Sequence, residues 1–348
     1  MANKLKFGLI GCGSFGAELG KYINEVAEVT ALCDPRTAGM DQTAERMGAN
    51  LPQYTDHKEL FERETLDAVA ITSANFTHRD ICVDAAGAGL HVFCEKAMAR
   101  TTAECWDMVR ACRDNDRKLL VGHKRRLRKS WGRMIELTRP DGPLGEPLAI
   151  TVTQYADMRP YKYPGTWWAD REKSGGALSL LGVHVLDWFR AMCGDAARVS
   201  ALYGAEMDPG YGYPTVMHAT YSFQSGAVAT LTSTLHNPIH KFREAQGPMV
   251  QARNGGLKLV PQMTHLDLYW QTLDTEDAVH ERFPIEEDFD PAYRREVGDF
   301  VEWIVNDRPP CLTGMDGLRC VELMEASYRS AEKNGTWIDL PLCPEMET

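Results

Sequence analysis

From Leu5 to His123, short β-rich apolar runs (LKFGLIG, VTALCD, LDAVAITS, HVFCEK and KLLVGH) alternate with longer stretches whose apolar residues return at helical spacing. Apolar runs with little internal polar alternation are strands buried on both faces. Their alternation with helices predicts a parallel sheet covered on both sides, with right-handed crossovers. After about Ser130 the pattern changes. A helix around Trp131 to Leu137 and the turn-rich PDGPLGEP lead to LAITVTQYA, VSALYGAE, TVMHATYSF, AVATLTSTL, LKLVP and THLDLYWQT, which alternate apolar with polar residues. Such alternation without intervening helices predicts an open, mainly antiparallel sheet with one buried face. GGALSLLGVHVLDWF, from Gly175 to Phe189, reads as one buried helix carrying His184 and Asp187. Two helices, near Tyr293 to Val305 and Asp316 to Lys333, finish the chain, and the expected fold class is α/β.

Composition narrows the function. The chain has 348 residues, 44% hydrophobic and 25% charged, enough for two cores, and a formal net charge of -11. That charge repels nucleic acid and anionic membranes, so the expected partner is a small molecule. Neither an apolar run of about 18 residues nor a leader-like start is present, and a cytoplasmic location is expected. The ten cysteines are scattered without CxxC spacing, so no metal site is expected. Cys12, Cys33 and Cys94 read as small packing residues.

The first strand runs into Gly11, Cys12, Gly13, Ser14, Phe15 and Gly16 and then into a helix. In this strand–turn–helix setting GxGxxG is a dinucleotide fingerprint: the first glycine turns the chain, the second admits phosphate, and the helix N-terminus faces the pyrophosphate. Asp34 closes the second strand at the spacing expected of a carboxylate that accepts from the ribose hydroxyls. It would repel a 2′-phosphate, which favours NAD over NADP. Pro35 and Arg36 flank it, and Arg36 is placed to soften that preference.

HVFCEK puts Glu95 and Lys96 at a C-terminal strand end, the edge where open α/β sheets bind ligands. A half-buried lysine there is suited to a substrate hydroxyl. GLIGCGSFG, CDP, ITSANFTH, CEKAMA and GGALSLLGVHVLDWF, in this order, resemble the glucose-fructose oxidoreductase / inositol dehydrogenase / rhizopine-catabolism (Gfo/Idh/MocA) family over essentially the whole chain. The resemblance implies an NAD-binding Rossmann domain over residues 1–124. It implies a second α/β domain over 125–348, for substrate binding and oligomerisation, whose last helices pack back on the first. It also implies homo-oligomers that associate through the second sheet, and hydride transfer between a sugar or cyclitol hydroxyl carbon and nicotinamide. Lys96 then binds the reacting hydroxyl, with Ala97 in place of the family's proline. Thr72, Ser73, Asn75 and His78 resemble the loop beside the adenosine and nicotinamide ribose, and Ala74 again replaces a proline.

Matched to the family's second-domain pattern, Gly175, Gly176 and Ala177 stand for three glycines, Gly182 and His184 for GxH, and Asp187 for the last acid. The family's first Asp falls on Leu180, one helical turn before His184. His184 remains a candidate general base or substrate ligand, its unperturbed pKa near 6.5 suiting neutral pH. Asp187 is expected to be structural, paired with His184 or Arg190. Loss of the acid at Leu180 leaves open an unusual substrate, or recruitment of Tyr155, Asp157, Asp170 or His236.

HKRRLRK, His123 to Lys129, is a cationic run at a strand exit, suited to an anionic substrate group, with His123 and Arg126 its expected site members. In MRPYKYPGTWWAD, Tyr161 and Trp168 are candidate substrate walls and Trp167 a nicotinamide-side wall. Tyr293 matches a substrate-contacting tyrosine loosely. The expected activity is an NAD-dependent sugar or cyclitol dehydrogenase. The alternative is a redox-neutral enzyme of the same fold that cleaves glycosides, or forms 3-keto products, through transient oxidation. A third reading, an NAD-binding sensor, has no use for Lys96 and His184.

Overall fold

The computed structural model describes residues 4–158, 165–205, 210–235 and 247–346. The chain divides into two compact units, residues 1–123 with 293–318 and residues 124–292 with 319–348.

In the first unit, β1 (Lys6–Ile10), β2 (Glu28–Cys33), β3 (Gln53–Tyr54), β4 (Ala68–Ile71), β5 (His91–Glu95) and β6 (Leu119–Gly122) form one parallel sheet in the order β3-β2-β1-β4-β5-β6. The crossovers contain α1 (Ser14–Val26), α2 (Thr37–Met47), α3 (His57–Arg63), α4 (Asn75–Gly87) and α5 (Thr102–Asp114). Strand order reverses between β1 and β4, and a ligand crevice forms outside the strand ends at such a reversal. β3, only Gln53 and Tyr54, lacks the apolar run that marks the other five strands. Apolar strand residues face the helices: Phe7 and Phe93 meet Phe300 edge-on at 6.1 and 5.9 Å.

The second unit contains α6 (Lys129–Leu137), α7 (Arg171–Ser174) and α8 (Val183–Cys193). Its nine strands are β7 (Pro147–Tyr155), β8 (Ala196–Tyr203), β9 (Val216–Phe223), β10 (Val228–Thr234), β11 (Met249–Ala252), β12 (Gly255–Pro261), β13 (His265–Thr272), β14 (Val279–Pro284) and β15 (Ile338–Asp339). They are ordered β14-β13-β12-β11-β7-β10-β9-β8-β15, antiparallel throughout except for the parallel pair β7–β10. Period-two alternation turns Tyr221 of β9 inward, where it packs against Phe189 of α8 at 5.8 Å. Its hydroxyl lies 3.0 Å from that of Ser327. Ser327 is on α10 (Gly314–Glu332), which follows α9 (Ile285–Asn306). The opposite sheet face carries Met249, Lys258, Tyr269 and His280 side by side across four strands, all exposed. Among the described residues no helix is long and apolar enough to cross a membrane.

Two elements differ from expectation. α9 starts at Ile285, eight residues before Tyr293, with Glu286, Glu287 and Asp288 at its positive end and Pro291 inside it. The segment Gly175–Phe189 is not one helix. Gly175 and Gly176 have φ of +77° and +90°, Leu178–Gly182 forms a π-helical turn, and regular α-helix begins at Val183. The cause is local. A side chain on Gly176 would meet the Tyr328 hydroxyl at 2.8 Å, and that hydroxyl accepts from Leu178 N at 2.7 Å. Ser179 Oγ donates to the carbonyls of Ser174 and Gly176, holding the wide turn.

Candidate active site

The nucleotide fingerprint folds as its glycines require. Gly11 has φ +98°, and a Cβ there would collide with the backbone of Ser73. A Cβ on Gly16 would strike the Gly11 carbonyl and lie 2.7 Å from Thr72 Oγ1. Gly13 differs, because a Cβ there would meet no atom within 4 Å. Packing demands the first and third glycines, whereas the second faces open space at the N-terminus of α1, where no side chain caps the first amides. Beside it lies a cavity of about 390 Å³ lined by Cys12, Gly13, Ser14, Arg36, Gln42 and Arg46 among others. Asp34, 5% exposed, accepts from Cys12 N at 2.9 Å and from Arg36 N at 2.8 Å, which fixes its carboxylate against the glycine loop. Arg36 Nε is 3.4 Å from Asp34 on a largely exposed side chain, and Pro35 stands between them. This arrangement fits a dinucleotide: a helix N-terminus without a side-chain cap and open space for pyrophosphate, then a fixed carboxylate for ribose hydroxyls. Burial and the nearby Asp34 push the Cys12 thiol up to about 12, so it stays a thiol at neutral pH.

The loop after β4 braces this region. Thr72 Oγ1 donates to the Gly11 carbonyl at 2.6 Å, and Ser73 pairs with Thr77 at 2.7 Å. Asn75 opens α4 and is 6% exposed. His78 is 1% exposed, with Nδ1 3.2 Å from the carbonyls of Ala97 and Met98 and Nε2 3.0 Å from that of Ser73. The ring therefore stitches the β4 loop to the segment bearing Lys96, and burial holds its pKa below the usual histidine value. Lys96 follows β5 half-buried, and its backbone N donates to Glu95 Oε2 at 3.1 Å. A Cβ on Gly122, opposite Glu95 on β6, would lie 2.7 Å from Glu296 Oε1 and 2.9 Å from Glu95 Oε1. Two buried carboxyls thus converge at Gly122, and the Glu296 member gave no motif signal.

In the second unit, Leu180 sits in the π turn, buried in an apolar cluster with Ala169, Ala177, Tyr211, Tyr213 and Leu235. The position of the family's acid is thus occupied by hydrocarbon packing. His184, 8% exposed, lies in the first turn of α8. Asp187 is fully enclosed and pairs with neither His184 nor Arg190. Its oxygens accept from Arg126 Nε at 2.9 Å and Nη2 at 2.5 Å, and Arg190 goes to Asp195 at 2.8 Å. Arg126, expected at the substrate, is therefore tied within the unit. The rest of the run sorts similarly: Arg128 binds Asp288 at 2.5 Å and Lys129 binds Glu287 at 3.3 Å, while His123, in the first unit, is 0% exposed with no open face for a ligand. Arg125 remains. It lies over the Trp131 ring at 4.8 Å, with no carboxylate in salt-bridge range among the described residues.

Trp167 and Trp168 stack at 3.9 Å, both half-buried, and the Tyr213 hydroxyl donates to the Trp168 carbonyl at 2.7 Å. Tyr293 belongs to the first unit, where it stacks on Tyr22 at 5.1 Å and lies 5.9 Å from Phe15. Asp170 caps α7 through Glu172 N at 2.9 Å. Tyr161 and His236 lie outside the described residues. Among the described residues no group of His, Cys, Asp or Glu could hold a metal ion.

Comparison with known proteins agrees with this geometry. Residues 5–123 match the oxidoreductase family with an NAD-binding Rossmann fold, and residues 140–340 match its C-terminal alpha/beta domain. An uncharacterized oxidoreductase of Streptococcus pneumoniae is 31% identical over 58% of this chain, a match spanning about half (54%) of that protein. The 2,7-anhydro-N-acetylneuraminate hydratase of Escherichia coli is 28% identical over 75% of this chain and 68% of its own. The myo-inositol 2-dehydrogenase of Thermotoga maritima is 23% identical over 94% of this chain and 97% of its own. The WlbA dehydrogenase of Bordetella pertussis, solved with NADH and UDP-GlcNAcA, shares the fold with a TM-score of 0.85 at 20% identity, covering 98% of this chain and 99% of its own. The chain belongs to this oxidoreductase family, with an NAD-binding Rossmann domain followed by the family's C-terminal α/β domain.

Proposed function

We propose that the protein is an NAD-dependent dehydrogenase acting on a hydroxyl carbon of a sugar, cyclitol or sugar derivative. The observation that carries the reading is Lys96, half-buried at the C-terminal end of β5 in the sheet whose β1 loop leaves open space at Gly13. Bound NAD supplies a hydride acceptor at nicotinamide C4. Lys96 binds the reacting hydroxyl and takes its proton, and His78 and Glu95 fix the backbone from which it projects. His184 is assigned to the substrate as a second hydroxyl ligand or base. The working protein is read as a cytoplasmic homo-oligomer that associates through the open face of the second sheet.

The test is a panel of sugars, cyclitols, acidic sugars and glycosides with NAD, followed by NADH absorbance. Lys96→Met is expected to lower kcat by roughly 10²- to 10⁴-fold, the range for a lost general base, while NADH binding survives. Unchanged turnover in that variant would remove Lys96 from the mechanism.

The relative named as a hydratase favours a second reading, a redox-neutral reaction in which oxidation is transient. Consumption of a glycoside or anhydro-sugar without accumulating NADH would select it.

A further inference from the structure

Five residues of one short run, from Lys124 to Lys129, are cationic. Arg126, Arg128 and Lys129 each hold a carboxylate, two of them in pairs that are almost completely enclosed. Lys124 is 8% exposed. Arg125 projects from the same 3₁₀ turn, half-buried, with its guanidinium over the face of Trp131 and no carboxylate within salt-bridge distance among the described residues, Asp187 and Asp288 acting on it only from farther off. The turn packs against α8, the helix that bears His184, through the Arg126–Asp187 pair one residue away. We propose that Arg125 is the receptor for a carboxylate on the substrate, which makes the substrate an acidic sugar or an acidic sugar derivative. The inference rests on the dehydrogenase reading above and specifies its substrate class.

Three observations support it. A buried cation is costly unless paired, and its neighbours are already paired. Burial, with Arg128 alongside, pushes the Arg125 guanidinium down to about 9 against the opposing pull of Asp187 and Asp288, so it remains a cation at neutral pH whose burial those carboxylates only partly offset. A planar guanidinium resting on an indole offers its outer edge as a two-donor fork, which matches a carboxylate. One free guanidinium balances one negative charge, which suits a carboxylate better than a doubly charged phosphate monoester.

The test compares glucuronate with glucose and galacturonate with galactose, in the presence of NAD, on the full chain. The expected result is quenching of tryptophan fluorescence by at least one hexuronate, with a kcat/KM at least about tenfold above its neutral partner. Arg125→Gln should lower the acid's kcat/KM by roughly 10- to 100-fold, the size of a lost charged hydrogen bond, and Arg125→Lys should fall between. NADH binding serves as the check that both variants fold. A neutral sugar or cyclitol that turns over as well as any acid overturns the inference and leaves the dehydrogenase reading intact. So does an acid-to-neutral ratio that Arg125→Gln does not change. Failure of the dehydrogenase reading looks different: no compound yields NADH, although glucuronate still quenches wild type and no longer quenches Arg125→Gln, and the carboxylate receptor then stands alone.

Discussion

Asp187 is fully enclosed, and both its oxygens accept from Arg126, itself 9% exposed. Removing one member of such a pair strands a charge in a low-dielectric setting, whereas replacing both with hydrocarbon removes the desolvation cost as well as the attraction. Arg126→Met alone is therefore expected to cost about 3–5 kcal/mol, and the double variant with Asp187→Leu should recover most of it. Urea unfolding of the two variants checks this, and equal losses in both would show that the ion pair is not what matters. The sequence made Asp187 legible as a structural acid but misassigned its partner. Helical spacing points only to residues of the same helix, while Arg126 lies 61 positions away. The same reasoning explains why Arg126 was expected at the substrate and Arg125 was not. Both are arginines of one run, and only the three-dimensional position of Asp187 tells them apart. The first glycine of the fingerprint, by contrast, was legible as the tight turn, since Gly11 has φ +98° and a Cβ there would collide with the Ser73 backbone, while the close packing of Gly16 was not read in advance.

The elements with strong periodicity were equally legible, and those read poorly have physical reasons. β14, VHERFP, carries three consecutive ionisable residues, His280, Glu281 and Arg282, which break the alternation that marks a strand; it lies at the sheet edge and is held by the cross-strand pairs of Asp267 with Arg282 and His280. The turn before α8 was hidden because apolar composition does not reveal a π turn, which here depends on Tyr328 arriving from α10. At the β13–β14 pair, Asp267 is 4% exposed and takes Arg282 and His280, both at 2.8 Å, and His265 at 3.2 Å. Hydrogen bonding from Arg282, with help from His280, holds its carboxyl down to about 2, against an ordinary 3.8. A depressed acid contributes stability above its unfolded pKa and loses it as pH falls through the folded value. Asp267→Asn should therefore cost about 1–2 kcal/mol at neutral pH, the full shift being discounted because the cationic partners are partly exposed. That difference should close between about pH 4 and pH 2. Urea unfolding across that window decides it, and a difference that persists at the acid end would mean the carboxylate charge is not the source.

At the scale of the whole molecule, the nine-stranded sheet packs α8 and α10 on one face, while the other carries exposed side chains among the described residues. On that face Met249 is 54% exposed, Leu202 52%, Val228 44% and Tyr269 40%, amid threonines of β7, β9 and β10. Several large apolar side chains on a flat, pleated surface are costly to leave in water, and a twofold pairing of two such faces would bury them, each residue meeting a partner residue and only those near the axis meeting their own counterpart. The net charge of -11 opposes association at long range, so such a contact would rest on apolar and hydrogen-bonded area rather than on charge attraction. Met249 lies near the middle of the strand order, beside Lys258 and Thr151. Met249→Glu would bury an unpaired carboxylate in such a contact and should shift the protein from oligomer to single chains by light scattering at micromolar concentration. NADH affinity should hold in the dissociated form, because the glycine loop and Asp34 lie in the first unit and owe their geometry to residues of that unit alone. A wild-type protein that scatters as a single chain, or a Met249→Glu variant of undiminished mass, would exclude this face as the surface of association.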